Sequence, residues 1–377
     1  MTGAATPSTA DLPAGTAQRV DALRAAMAEE AVDLLAVAPS DNLRYALGFS
    51  PFADERACLL LVSEQGLAFV VPALNADQAA AAAPGLPAFR WQDEEGPLDA
   101  LRDALASVNG DASKRVAVDP EMRADVLLTL QSFVAGADYR SAADLVGGLR
   151  AVKSDDELAR LTASARTADA AMTAALAACK PGVSELEVAE AAAAAFREAG
   201  AQEVMFTIVG AGANGAFPHH HTSRRVLEEG DAVVVDIGGR LDGYASDITR
   251  MAFVGEPPDR YREVHAVVDA AVTAATAAAK PGVRGRDVDC AARAVIEEAG
   301  YGEFFVHRTG HGLGLSAHEA PWITSTSEDV LRERTVFSIE PGIYLPREFG
   351  VRLEEIVHLT SEGCARFSEL PRDVHEA

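Results

Sequence analysis

The sequence predicts two parts: an α/β domain over residues 17–150, then an α+β domain over residues 151–377 carrying an internal pseudo-two-fold repeat. Three observations lead there. Helical and strand patterns alternate through the first part. In the second, AALAACKPGVSELEVAEAAAAAFREAG and AATAAAKPGVRGRDVDCAARAVIEEAG match at one fixed offset, with Pro181 answering to Pro281 and Gly200 to Gly300. Each copy then leads to a strand–turn–strand segment that holds two acids: Asp236 and Asp247 in VVVDIGGRLDGYASDITR, Glu340 and Glu354 in FSIEPGIYLPREFGVRLEE.

Taken in order, residues 1–16 lack the basic start and apolar stretch of a secretory signal and read as a disordered tail. QRVDALRAAMAEEA has helical spacing with its charges on one face, and VDLLAVAP reads as a buried strand. ACLLLV and LAFVVP are strands on either side of an SEQG turn; LRDALASV is helical and RVAVDP is again a strand. The boundary belongs near Arg150. Beyond it a long Ala-rich helix begins at the Ser154 N-cap, with Glu157 at the capping-box position, and is stopped by Pro181-Gly182. A turn around Leu241-Asp242-Gly243 with a two-residue loop at Leu241-Asp242 would set Asp236 opposite Asp247, and Pro346 to Gly350 turns the chain between Glu340 and Glu354.

Composition narrows the function. A net charge of −24 over 377 residues, with no basic run, argues against nucleic acid. No stretch approaches the roughly 20 apolar residues of a membrane span. Cys58, Cys179, Cys290 and Cys364 are scattered with no metal or disulfide spacing, and read as reduced core residues of a cytoplasmic protein.

The four acids and His311 carry the chemistry. Directly paired like charges are unfavourable in a sheet unless a cation bridges them. Four buried carboxylates and one imidazole suit two divalent cations, since carboxylates are hard ligands and their charge balances two doubly positive ions. Singly, Asp236 would pass for a turn cap and His311 for a core histidine; as a set with Glu340 and Glu354 they point to a two-metal hydrolase.

DIGG…SDITR, GHGLGLSAHE, IEPGIY and GVRLEE, in this order, resemble the metallopeptidases of the pita-bread fold, which include methionine aminopeptidases, aminopeptidase P and prolidase. The resemblance implies a pita-bread fold for residues 151–377 and a creatinase/prolidase-like fold for 17–150. It implies metal ligation by Asp236, Asp247, His311, Glu340 and Glu354, with Asp247 and Glu354 bridging. His219 and His318 match two further family histidines that would steady an oxyanion, and Glu340 would carry the proton from water to the departing nitrogen. Of His219, His220 and His221 we favour His219 as the one facing the site. His307 reads as structural. Arg352, two residues before Glu354, would orient a carboxylate by a bidentate contact; Tyr344 reads either as core or as site wall. Methionine aminopeptidases usually lack a domain like residues 17–150, so the resemblance points to Xaa-Pro bonds. Ligand hardness favours Mn²⁺, with Zn²⁺, Co²⁺ and Fe²⁺ open.

Two exopeptidase readings and one binding reading are open: a prolidase that splits Xaa-Pro dipeptides, an aminopeptidase P that accepts longer peptides, and a non-enzymatic binding protein of the same fold. The last loses its metal ligands in known cases, and here the set is complete. Pro51 to Arg56 lengthens the loop after GFS, and Arg56 could pair with a dipeptide carboxylate or stay solvated beside Asp54 and Glu55. We expect the dipeptidase, as a cytoplasmic homodimer.

Overall fold

The computed structural model describes residues 12–377, so residues 1–11 of the expected tail lie outside the described residues. A helix begins at Ala14, inside the span expected to be tail. The chain divides into two compact units between Arg150 and Ala151.

The first unit is a six-stranded sheet in the order Ala88–Trp91, Leu67–Pro72, Leu59–Ser63, Leu34–Val37, Arg115–Val118, Asp138–Ser141. The apolar runs read as strands form its centre, and LLAV, LLLVS and LAFVVP are buried along their whole length. Strands hidden on both faces need continuous apolar sequence, which is why these runs do not alternate.

The second unit realises the repeat. Glu185–Glu198 and Gly285–Glu298 are helices offset by the same hundred residues as their prolines, each preceded by a long helix, Asp155–Ala178 or Asp259–Ala278. The capping box of Ser154 and Glu157 is formed. The punctuation repeats down to single bonds. Gly182 N donates to Leu227 O and Gly282 N to Leu331 O; Leu227 N donates to Val183 O and Leu331 N to Val283 O.

Each half packs its helices on a sheet. Val233, Val235, Ile237, Ile248 and Ala252 face the first helical pair. Phe337, Ile339, Ile343, Val351, Leu353 and Val357 face the second. Side chains alternate along a strand, so Asp236 and Asp247 project from the face turned away from their helices, and Glu340 and Glu354 do likewise in the other half. The four acids therefore meet between two apolar cores.

The first hairpin differs in register from expectation. Leu241 pairs with Tyr244 and Asp236 with Thr249, not with Asp247. The loop is Asp242-Gly243, with φ of 50° and 85°. Both central residues of a type I′ turn need positive φ, and Asp-Gly meets that demand where Leu-Asp does not. The shift preserves parity, so Asp236 and Asp247 still share a face, as diagonal neighbours. In the other half Ile339 pairs with Glu355 and Gly342 with Arg352, which sets Glu340 opposite Glu354 at the break between the two ladders.

Candidate metal centre

His311 sits in a three-residue strand, Gly310–Gly312, between two other strands. Its flanking glycines are required by close approach: a Cβ on Gly310 would run into the Ser338 carbonyl, and one on Gly312 into the Ala320 carbonyl. The imidazole is aimed by its own backbone. Nδ1 lies 3.0 Å from the Gly312 carbonyl, an acceptor only, so Nδ1 carries a proton and Nε2 is aimed at the acids. Nε2 is 3.1 Å from Glu340 Oε1 and 3.9 Å from Asp247 Oδ2.

Two triads of potential ligands overlap. His311, Glu340 and Glu354 bring one ligand atom each within 4.8 Å of one another, as do Asp236, Asp247 and Glu354. Glu354 is common to both, the position a bridging carboxylate would take. Asp247 also groups with His311 and His318, so it too reaches toward both halves.

The electrostatics of the acids demand a cation. Burial raises Asp236, Asp247 and Glu354 above the ordinary carboxylate range, Asp247 and Glu354 well above it, and repulsion from neighbouring carboxylates adds to it. Arg352 opposes the rise at Asp236. Glu340 differs: burial raises it, but the His311 hydrogen bond and charge outweigh that and hold it down to about 2. Asp236 Oδ1, Asp247 Oδ1 and Glu354 Oε1 are buried with no hydrogen-bond partner. Buried polar atoms are almost always satisfied, and three orphaned oxygens on acids that share a cluster fit divalent metal.

The remaining oxygens are held. Thr249 Oγ1 donates to Glu354 Oε2 at 2.8 Å, and Ser338 Oγ to Glu340 Oε1 at 3.1 Å. Arg352, buried, donates from Nη2 to Asp236 Oδ2 at 2.6 Å and from Nη1 to the Tyr344 hydroxyl at 2.8 Å. Its contact with Asp236 is through one oxygen, not the bidentate fork expected, because Nη1 is turned to Tyr344.

These groups open on a cavity of about 500 Å³, lined also by Phe206, Ile208, Pro218, His219, His307, Arg308 and His318. His219 faces it, whereas His220 turns away and its Nε2 lies 2.9 Å from the buried Glu185 carboxylate. His221 is exposed and outside the lining. The His318 ring lies 4.0 Å from that of His311. Burial, then His311 and Arg308, lower its pKa to about 4, so it is neutral at physiological pH. Arg308 Nη2 approaches His318 Nδ1 at 3.4 Å, which leaves Nε2–H as the donor of that ring.

One open alternative is decided and two expectations are revised. Tyr344 does not line the cavity; it is buried behind it, with its hydroxyl between Arg352 and His307 Nε2. His307, read as structural, lines the cavity while holding Tyr344 and the Arg308 carbonyl. Cys290 is exposed rather than core. Arg56, in the first unit, is occupied: its guanidinium binds Asp54 and Asp93 at 2.9 Å and Glu55 at 3.2 Å. Arg308 had no motif of its own, and Phe206 and Ile208 no signal beyond a strand pattern.

Residues 159–361 match the model of metallopeptidase family M24, and residues 19–152 that of the creatinase/prolidase N-terminal domain. A probable dipeptidase PepE of Mycobacterium tuberculosis is 38% identical over 95% of this chain and 96% of its own. An Xaa-Pro dipeptidase of Pyrococcus horikoshii is 31% identical over 92% of this chain and 96% of its own. The crystal structure of dipeptidase PepE from Mycobacterium ulcerans superposes with a TM-score of 0.90 at 36% identity, covering 97% of this chain and 99% of that one.

Proposed function

The chain belongs to metallopeptidase family M24, and we propose that it is an exopeptidase that hydrolyses the Xaa-Pro bond of dipeptides. The observation that carries the reading is the cluster of four carboxylates and His311, with three buried oxygens left for metal. When bound, two divalent cations would supply Lewis acidity toward the scissile carbonyl and a water that ionises near neutral pH. Asp236, Asp247, His311, Glu340 and Glu354 would hold them, and carboxylate-rich ligation favours Mn²⁺ over Zn²⁺, Co²⁺ or Fe²⁺.

The chain's own residues do the rest. Glu340, ionised at neutral pH, takes the proton of the attacking water and passes it to the proline nitrogen, which leaves poorly without it. His318, through Nε2–H, and His219 donate to the oxyanion. Phe206 and Ile208 form an apolar wall for the side chain before proline. Tyr344 stays a support of Arg352, and Arg352 of Asp236.

No helix among the described residues is long and apolar enough to cross a membrane, and the four cysteines are free; both support a cytoplasmic protein. The dipeptidase reading is tested by rates. The metal-loaded protein should turn over an Xaa-Pro dipeptide faster than an Xaa-Pro-Xaa tripeptide. A preference for the tripeptide would make it an aminopeptidase P instead.

A further inference from the structure

We propose that the buried ion pair of Lys153 and Glu319 is the anchor that presents His318 to the catalytic cavity, so that two residues outside the cavity govern turnover. The inference rests on the oxyanion role of His318 in the proposed hydrolysis and adds what holds that imidazole in place.

His318 has little of its own to fix it. Its ring meets the His311 ring at 4.0 Å and Arg308 Nη2 at 3.4 Å, and both of those groups themselves face the cavity. Its backbone lies just outside the sheet. The strand begins at Glu319, which pairs with Gly312, and the register slips between His311 and Gly312. Neighbouring side chains point to opposite sides, so His318 enters the cavity lining and Glu319 does not.

Glu319 is instead gripped from behind. Lys153 Nζ donates to its Oε1 at 2.7 Å, and Ser316 N to its Oε2 at 3.3 Å. The side chains of Lys153 and Glu319 keep 1% and 5% of their exposure. Lys153 is fixed by its backbone: its N donates to the Arg334 carbonyl at 3.0 Å, and Val152 bridges to Thr335. The loop between His311 and His318 is packed on the pair, and a Cβ on Gly314 would run into Glu319 Oε1 and Lys153 Cε. That loop is tied in turn to the first half of the repeat. Ala245 N donates to the Gly314 carbonyl at 2.7 Å, and Arg240 Nη1 donates to the Leu315 carbonyl.

A buried ion pair adds little stability that apolar residues of the same volume would not match, because desolvation offsets the Coulombic gain. What it supplies here is a fixed point: one carboxylate held by a short charge-assisted bond. Successive Cα atoms stand about 3.8 Å apart across a rigid peptide, so a displacement of Glu319 passes to His318. An oxyanion donor works only within hydrogen-bond reach, and misplacing a positioned group by about 1 Å can cost about 10²-fold in rate. Lys153 and Glu319 are therefore positioning residues whose loss is felt in kcat.

The test uses the metal-loaded full chain, with an Xaa-Pro dipeptide and an Xaa-Pro-Xaa tripeptide as substrates. Glu319→Gln should lower kcat about 10- to 100-fold, with KM changed less than threefold and the metal content of the wild type retained. Added to His318→Ala, it should lower kcat less than threefold further, because the imidazole it positions is gone. Lys153→Met with Glu319→Met removes both charges, so its melting temperature should lie near that of the wild type, yet its kcat should stay low. Where Glu319→Gln fails to fold, this double variant carries the test. Additive losses with His318→Ala, or a double variant that recovers kcat together with stability, would make the pair structural and overturn the proposal. Loss of metal from Glu319→Gln would overturn it too, by placing the effect at the ligands. A wild-type chain that prefers the tripeptide overturns the dipeptidase reading alone, since the same comparison of kcat runs on the tripeptide; one that cleaves neither overturns both.

Discussion

Replacing Arg352 with methionine isolates what holds Asp236 in place. The guanidinium donates to Asp236 Oδ2 at 2.6 Å, while Asp236 Oδ1 has no partner. Without Arg352, Asp236 Oδ1 stays unpaired and Oδ2 loses its arginine in the metal-free protein. The side chains of Arg352 and Asp236 retain only 4% and 14% of their exposure, so solvent screens the pair little. Breaking such a pair from one side costs about 3–5 kcal/mol, chiefly the penalty of the charge left behind. The Tyr344 hydroxyl also loses a partner but keeps His307, so its share is small. Methionine fills most of the vacated volume, which keeps the cavity contribution low. Urea unfolding in chelator at pH 7, followed by amide exchange in strand Ala232–Leu241, should show Arg352→Met destabilised by about 3–5 kcal/mol and Arg352→Lys by about half that. A loss below about 1 kcal/mol, the scale of an exposed pair, would mean Asp236 is stable without a counter-charge and would refute the electrostatic account of the cluster.

Three further outcomes follow from the same geometry. His219→Ala and His318→Ala should each lower kcat about 10²–10³-fold, the loss for one oxyanion donor; His220→Ala should cost far less in a steady-state assay. Glu185, fully buried, accepts from Ala211 N at 2.9 Å, Asn214 Nδ2 at 2.8 Å, and Ser223 N and Oγ at 2.9 and 2.7 Å, and so ties down the segment that carries His219; Glu185→Ala combined with His219→Ala should be no worse in kcat than His219→Ala alone, and additive losses would separate the two residues. Metal-free protein should become less stable as pH rises above about 4.5. Asp236, Asp247 and Glu354 have folded pKa values above their unfolded ones, so the folded chain binds more protons in that window, and each retained proton contributes a slope of about 1.4 kcal/mol per pH unit. Glu340, held down to about 2, is ionised in both states there and adds no slope; a chelated protein whose stability rises from pH 5 to 8 would contradict the cluster's charge state.

The ligand set was legible because its chemistry is local in sequence: two acids per strand–turn–strand segment, repeated, with a histidine between glycines. The observed hairpin register differs from the expected one by two positions because the loop is Asp242-Gly243, the pair that takes positive φ at both places, and not Leu241-Asp242. Parity saved the conclusion, since a shift of two leaves each acid on its face. What stayed hidden depends on tertiary packing. Nothing in HRTGHG tells that His307 turns to Tyr344 or that Arg308 lies on Trp322, fourteen residues away. Arg56 is a cation in an acidic loop, and that same acidity is what occupies it. Tyr344, next to a ligand-bearing segment, alternates inward with the wrong neighbours to reach the cavity and meets Arg352 instead.

The most direct measurement is metal content against activity in one preparation. The protein loaded with Mn²⁺ and freed of excess should hold two ions per chain; chelation should abolish Xaa-Pro dipeptide hydrolysis and readdition should restore it. Glu354→Ala, which removes the carboxylate common to both triads, should lose both ions rather than one. A chain that binds no divalent ion, or that hydrolyses the dipeptide at full rate after chelation, contradicts the account.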